Sequence, residues 1–347
     1  MRRAAAGEML RRTEQRYDTY GKAFVIWYNN PMRNKLVSFV IPCYRSEQTI
    51  ENVINEIEGA MDMLVLYSYE IILVNDCSPD NTWEKICELT KDHAEIRGFN
   101  LAKNFGQHAA LMAGFNAAKG DIIVCLDDDG QTPADEVGKL LYQIEKGADV
   151  VYARYAHKKH NLFRNFGTAM NEWMAHVMLG KPKDLNVSSY FAVRRFVVDE
   201  MIKYQSSYPY VIGLVLRTTR NIVNVDVTHR AREVGESGYN LAKLMGLWIN
   251  GFTAFSVKPL RIGTLMGGIF AAIGFLYGIY TVIKKMMYPD LPAVGFSALM
   301  SAIVFMCGLL MLMVGLAGEY IGRIYISQNN NPQYVIRDEV SHEESKE

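Results

Sequence analysis

Residues 121–133 read DIIVCLDDDGQTP. The apolar run Ile122-Ile123-Val124-Cys125-Leu126 predicts a buried strand, and Asp127, Asp128 and Asp129 follow it directly. Carboxylates this close repel one another. Either water dissipates that repulsion or a cation does. Hard oxygen donors at Asp-x-Asp spacing, here Asp127 and Asp129, suit Mg²⁺ or Mn²⁺, ions that also hold phosphate oxygens. A solvated turn is the plain alternative, and the place at a strand's carboxyl end favours the metal. Pro133 stands where a helix would begin.

The same strand-then-helix pattern runs through the preceding residues. Strands are expected at Ser38–Ile41, Glu70–Val74, Gly98–Leu101, Asp121–Leu126 and Ala148–Tyr152. Helices are expected from about Glu47, with Ile50, Val53, Ile54 and Ile57 on one face, from about Asn81, and from Gly106 to about Ala118. Continuous apolar strands separated by helices give an α/β fold, a mostly parallel sheet covered on both faces. Ligands bind such sheets beyond the carboxyl ends of the strands. Asp76, Arg154 and the aspartate run all lie at such ends.

After residue 240 the character of the chain changes. Ile262–Ile283 and Leu291–Gly318 carry no charge, and each is long enough to cross a hydrocarbon core of about 30 Å. Neither segment has a polar face, which argues against two buried helices of a soluble domain. Leu241–Arg261, with Lys243, Trp248, Lys258 and Arg261, reads as an amphipathic helix in the membrane interface. Residues 324–347 read as a polar tail. At the other end, residues 1–31 carry no strand period, and Met32 is a credible native start. Residues 1–34 are therefore expected to be a dispensable extension to a catalytic domain at 35–240.

Lysine plus arginine equals aspartate plus glutamate at 37 each, which argues against a nucleic-acid partner. The five cysteines, at 43, 77, 87, 125 and 307, are scattered and fit reduced thiols. No export signal is evident, so an integral membrane protein with its large domain facing the cytoplasm is expected.

The stretches VSFVIPCYRSEQTI, EIILVNDCSPDNTW, NFGQHAALMAGFNAAKGDIIVCLDDDGQTP, DVVYAR and REVGESGY, followed by paired apolar segments, together resemble family 2 glycosyltransferases of GT-A fold. The resemblance covers about Lys35 to Arg323. It is strongest to the membrane-anchored branch that moves sugars from nucleotides onto polyprenyl phosphate. It implies that Pro42, Tyr44 and Glu47 cradle the nucleotide and that Asp76 reads its base. It further implies that Asp127, Asp129 and Gln131 bind the metal and that Arg154, Arg164 and Thr168 hold the acceptor phosphate. Arg232 and Ser237 would lie by the donor pyrophosphate. Homo-oligomers, tetramers in relatives, belong to the same implication. The chain departs from the usual pattern at Arg45 (commonly Asn), Asn75 (commonly Asp), Cys77 (commonly Gly) and Gly238 (Lys in some members).

The expected reaction is inverting transfer of a sugar, UDP-glucose being the first donor to try, to undecaprenyl phosphate. A phosphate monoester is largely dianionic at pH 7, so it needs no general base. Three other readings are weaker. Aspartyl phosphatases carry Asp-x-Asp-x-Thr/Val after the first strand, whereas Gln131 follows the fourth. Processive polysaccharide synthases carry Gln-x-x-Arg-Trp, which is absent. A non-catalytic scaffold would not need the full acidic and arginine set. His108 is expected on a helix surface.

Overall fold

A computed structural model describes residues 35–155, 181–228, 258–288, 295–328 and 331–342. Five strands alternate with helices in the first part. They are β1 (Lys35–Cys43), α1 (Ile50–Met63), β2 (Tyr67–Asn75), α2 (Thr82–Asp92), β3 (Ile96–Leu101), α3 (Gln107–Ala117), β4 (Ile122–Cys125), α4 (Val137–Glu145) and β5 (Val150–Tyr155). A short 3-10 turn, Ala134–Glu136, follows Pro133 and leads into α4. Then come β6 (Phe191–Arg194), α5 (Arg195–Met201), α6 (Val211–Thr218) and β7 (Ile222–Val227). Two long helices, α7 (Lys258–Met287) and α8 (Phe296–Gln328), precede a last strand, β8 (Ile336–Ser341).

All eight strands form one sheet in the order β7-β5-β6-β4-β1-β2-β3-β8. β1 pairs parallel with both β2 and β4, β2 with β3, and β5 with β7. β6 and β8 run antiparallel to their neighbours. The expected α/β architecture with a mostly parallel sheet is therefore present. Two apolar clusters cover its faces. One joins Ile50, Ile54 and Ile57 of α1 to Phe39, Ile41 and Leu73. The other joins α3 and α5 to Val40, Ile72 and Val74. Gly114 lets α3 lie directly on β1, because a Cβ there would collide with the Val40 side chain. Val40, Ile72 and Ile123 are fully buried on adjoining strands, so the carboxyl ends of β1, β2 and β4 are held on a rigid base.

The expected polar tail at 324–347 is corrected by the structure. Helix α8 continues to Gln328, and β8 adds an edge strand to β3. β8 reads IRDEVS, and Val340 is its half-buried residue. Charge on an edge strand blocks further pairing, which is why this segment looked like a tail. Gly98 makes the docking possible, since a Cβ there would meet Val340 at 2.8 Å. The Gln333 amide donates to the carbonyls of Tyr204 and Ser206, and Ser207 Oγ donates to the Asn331 carbonyl across 2.7 Å.

The helix boundaries also shift. α7 begins at Lys258, so the end of the expected interfacial segment belongs to the first long helix. α8 begins at Phe296, directly after Gly295, whose φ of 152° is not helical. The rest of the interfacial segment, through residue 257, and the N-terminal extension lie outside the described residues. At 30 and 33 residues, α7 and α8 are about 45 and 50 Å long. Both are long and apolar enough to cross a membrane. Leu265, Leu276, Phe305, Leu310 and Met311 are exposed, so these are not the buried helices of a soluble core.

Candidate active site

The β1 and β4 ends meet through a side chain of the aspartate run. Asp128, the middle residue, turns toward β1. Its Oδ2 accepts the Tyr44 backbone N–H at 2.9 Å and the Ser46 hydroxyl. Burial raises its pKa, and these donors oppose the rise. Asp128 thus ties down the loop after β1. Asp129 Oδ1 accepts the Gln131 backbone N–H at 3.0 Å, an Asx-type turn, and Gly130 takes a φ of 71° inside it.

Asp127 is gripped from two sides. The Gln107 side chain, at the start of α3, donates to Oδ1 at 2.9 Å, and the Ser189 hydroxyl donates to Oδ2. Ser188 anchors the Ser189 loop by donating to the Ala153 and Tyr190 carbonyls, and buried Lys181 donates to the Leu185 carbonyl within the same segment. Gln107 and Ser189 are neutral, so they orient the carboxylate without cancelling its charge. Burial, then the nearby Asp129 and Asp128 charges, push the Asp127 pKa up to about 6 against the pull of those two bonds. Sequence reading missed Gln107 and Ser189 as site residues. A polar residue directly after Gly106 at a helix start was the available signal for the first.

The two loops flanking the β1 and β2 ends are laced together. Arg45 N–H donates to Ser78 Oγ at 2.8 Å, and Ser46 N–H donates to Thr82 Oγ1 at 2.9 Å. Asp80 accepts from Ser78 and Thr82, which lower its pKa against the effect of burial. Arg45 and Cys77 adopt positive φ, 60° and 51°. Asn and Gly, common at these positions in the resemblance, tolerate that conformation, and this chain holds it with less suited side chains. Tyr44 is 46% exposed, so it is not a core residue, and the Arg45 guanidinium stands over its ring, 5.6 Å from the centroid. Pro42 is buried at the strand end, and Glu47 accepts from Asn81 at 3.1 Å.

Asp76, expected to read a base, also has a structural task. Its two carboxylate oxygens accept the backbone N–H groups of Phe105 and Gly106 at 2.7 and 2.8 Å. It thereby fixes the turn that launches α3 and Gln107. Burial raises its pKa, against those two bonds.

Arg154 leaves the end of β5 and forms a two-pronged pair with Asp226 of β7, Nε to Oδ1 at 2.5 Å and Nη2 to Oδ2 at 3.0 Å. At 45% and 71% exposed, the pair is open to exchange with another anion. Arg164, Thr168, Arg232 and Ser237 lie outside the described residues, as does the stretch around them. His108 departs from expectation. Its ring sits edge-on to Tyr210 at 5.1 Å, its Nδ1 is buried without a hydrogen-bond partner, and burial lowers its pKa to about 4.

Among the described residues, no three His, Cys, Asp or Glu side chains form a metal-binding group. The donor set still fits a hard divalent cation of a particular kind. Mg²⁺ is often held by one or two carboxylates and completed by substrate phosphates and water.

These features define an α/β enzyme with an acidic site at the carboxyl ends of its central strands. Comparison with known proteins names the class. Residues 38–202 match Glycosyl transferase family 2, and residues 258–324 match the GtrB C-terminal hairpin. A Yersinia enterocolitica protein named undecaprenyl-phosphate 4-deoxy-4-formamido-L-arabinose transferase is 33% identical over 314 residues, 90% of this chain and 96% of that one. A Yersinia pestis protein of the same name is 32% identical over 320 residues, 92% and 97% of the two chains. The crystal structure of Mycobacterium tuberculosis glucosyl-3-phosphoglycerate synthase is similar over 65% of this chain and 79% of that one, with 19% identity and a TM-score of 0.47. The chain belongs to glycosyl transferase family 2. It is a glycosyltransferase, of the branch whose catalytic domain is followed by the GtrB-type hairpin.

Proposed function

We propose that the protein transfers a sugar, with inversion, from a UDP-sugar to undecaprenyl phosphate at the membrane surface. The observation that carries this reading is topological. The acidic site and the strand that follows two exposed apolar helices belong to one sheet, because β8 pairs with β3. The chain therefore returns to the catalytic domain after the hairpin, which requires an even number of crossings. A water-soluble donor site is thereby held beside a lipid anchor. An acceptor with a long prenyl tail needs that arrangement, since its tail stays in the bilayer.

The division of labour follows from charge. Tyr44 and Glu47 line the donor nucleotide, and Asp76 contacts the base with lone pairs its backbone partners leave open. Asp127, Asp129 and Gln131 would hold a Mg²⁺ or Mn²⁺, which when bound would supply positive charge to the departing diphosphate. Gln107 and Ser189 keep Asp127 aimed. Arg232 and Ser237 are assigned to the pyrophosphate. Arg154, with Arg164 and Thr168, holds the acceptor phosphate, which displaces Asp226 from the Arg154 guanidinium. The phosphate attacks the anomeric carbon from the face opposite the nucleotide, a C–O bond forms, and the bond to the diphosphate breaks. The catalytic domain faces the cytoplasm, where nucleotide sugars are made.

The sugar is tested with two donors, UDP-glucose and a UDP-linked form of the 4-deoxy-4-formamido-L-arabinose in the relatives' name. Purified protein is given each donor with undecaprenyl phosphate or undecaprenol, and products are read by mass spectrometry. Product from the phosphate and none from the alcohol supports the reading. Product from neither, with a panel of UDP- and GDP-sugars and folded protein, rejects it.

A further inference from the structure

Asn75, Asn100 and Asp338 stand side by side on β2, β3 and β8, in register across three adjacent strands. Their side chains form one line of hydrogen bonds. Asn100 Nδ2 donates to Asp338 Oδ2 at 2.8 Å, and Asn75 Nδ2 donates to Asn100 Oδ1 at 2.9 Å. Asn75 Oδ1 then accepts the Ser78 backbone N–H at 3.2 Å, and Ser78 Oγ accepts the Arg45 N–H at 2.8 Å. Asn75 and Asn100 are buried, at 2% and 8% exposed, so an unmatched contact there is costly.

The direction of this line is set at one end. An ionised carboxylate only accepts. Asp338 therefore takes the Asn100 amide nitrogen and leaves the Asn100 oxygen facing β2. Position 75 must then donate, which asparagine does and aspartate does not. This accounts for Asn75 where the family pattern commonly has aspartate. We propose that Asp338, carried in by the strand beyond the membrane hairpin, is a positioning residue that fixes the donor loops 44–47 and 75–80 through this relay. The proposal rests on the reading of those loops as the nucleotide site. It makes the donor site of this chain dependent on a strand whose Asp338 lies 238 residues beyond its partner Asn100.

Polarity gives an asymmetric test. Asn75→Asp alone sets two acceptors against each other, either at Asn100 Oδ1 or, after an amide flip, at Asp338. Asp338→Asn alone is silent, because asparagine still offers an oxygen to Asn100. The double variant works again, with the line reversed. The carboxylate now at position 75 accepts from Asn100 Nδ2 and from the Ser78 N–H, and the amide now at position 338 donates to Asn100 Oδ1. Full-length protein in detergent at pH 8 is titrated with UDP and Mn²⁺ by calorimetry, beside thermal unfolding. Asn75→Asp is expected to weaken UDP binding about tenfold and to lower the melting temperature. Asp338→Asn leaves both unchanged, and adding it to Asn75→Asp restores both. A double variant as weak as Asn75→Asp overturns the relay. If Asn75→Asp does not fold, recovery of folded protein in the double variant supports the relay and failure to recover it overturns it. If wild-type protein binds no UDP, the donor reading fails, while the unfolding data still judge the relay.

Discussion

The Gln107 side-chain amide donates to Asp127 Oδ1 across 2.9 Å, joining the start of α3 to the end of β4. Gln107 is exposed and packs little, so its contribution is directional. Gln107→Ala should leave the melting temperature almost unchanged. Turnover and metal affinity should fall about 10- to 100-fold, the usual effect of removing a group that orients a metal ligand. Initial rates against Mn²⁺ concentration, beside direct Mn²⁺ binding, check this. Unaltered metal affinity would show that the contact is incidental.

Asp127 carries a pKa raised to about 6, first by burial and then by its acidic neighbours. A raised carboxyl pKa means the proton is held below about pH 6, and a cation must displace it. Apparent Mn²⁺ affinity should therefore be level above pH 7 and fall about tenfold per unit below pH 6. Calorimetric titration from pH 5 to 8 measures this. Asp127→Asn should weaken binding throughout and flatten the dependence.

Asp128 is predicted to serve the β1 loop through the Tyr44 N–H and the Ser46 hydroxyl. Asp128→Ala should lose about 1–2 kcal/mol of stability and weaken UDP binding. Asp129→Ala should abolish turnover with little change in melting temperature. Thermal unfolding and UDP titration of the two variants separate the roles; matching profiles would contradict the assignment.

The positive φ of Arg45 and Cys77 is strain held in the donor loops. Arg45→Asn should raise stability by about 0.5–1 kcal/mol, because asparagine enters the left-handed region more readily. A rise in the melting temperature reports it, and a fall would show that the contact of the Arg45 guanidinium with the Tyr44 ring outweighs the strain.

The first five strands were legible because their apolar runs are continuous and their helices carry a clear stripe, as Ile50, Ile54 and Ile57 show. β6 was not, because Phe191–Arg194 is four residues long and runs straight into α5. β8 was hidden by its charge. In the site, the aspartates announced themselves by clustering. Their separate tasks did not, since alternate side chains take opposite directions and find partners 20, 62 and 84 residues away. Asp76 was legible as a site residue, while its grip on Phe105 and Gly106 depends on where the α3 turn passes. The substitutions at 45, 75 and 77 became intelligible only with backbone angles and the β8 register in view.

The central claim is transfer onto a lipid phosphate. The most direct measurement incubates membranes containing the protein with a radiolabelled UDP-sugar, undecaprenyl phosphate and Mn²⁺, and counts label extracted into organic solvent. The account predicts labelled lipid with wild-type protein, none after chelation, and none with Asp129→Ala. Label that persists in the Asp129→Ala membranes, or no labelled lipid from folded wild-type protein across the donor panel, would contradict it.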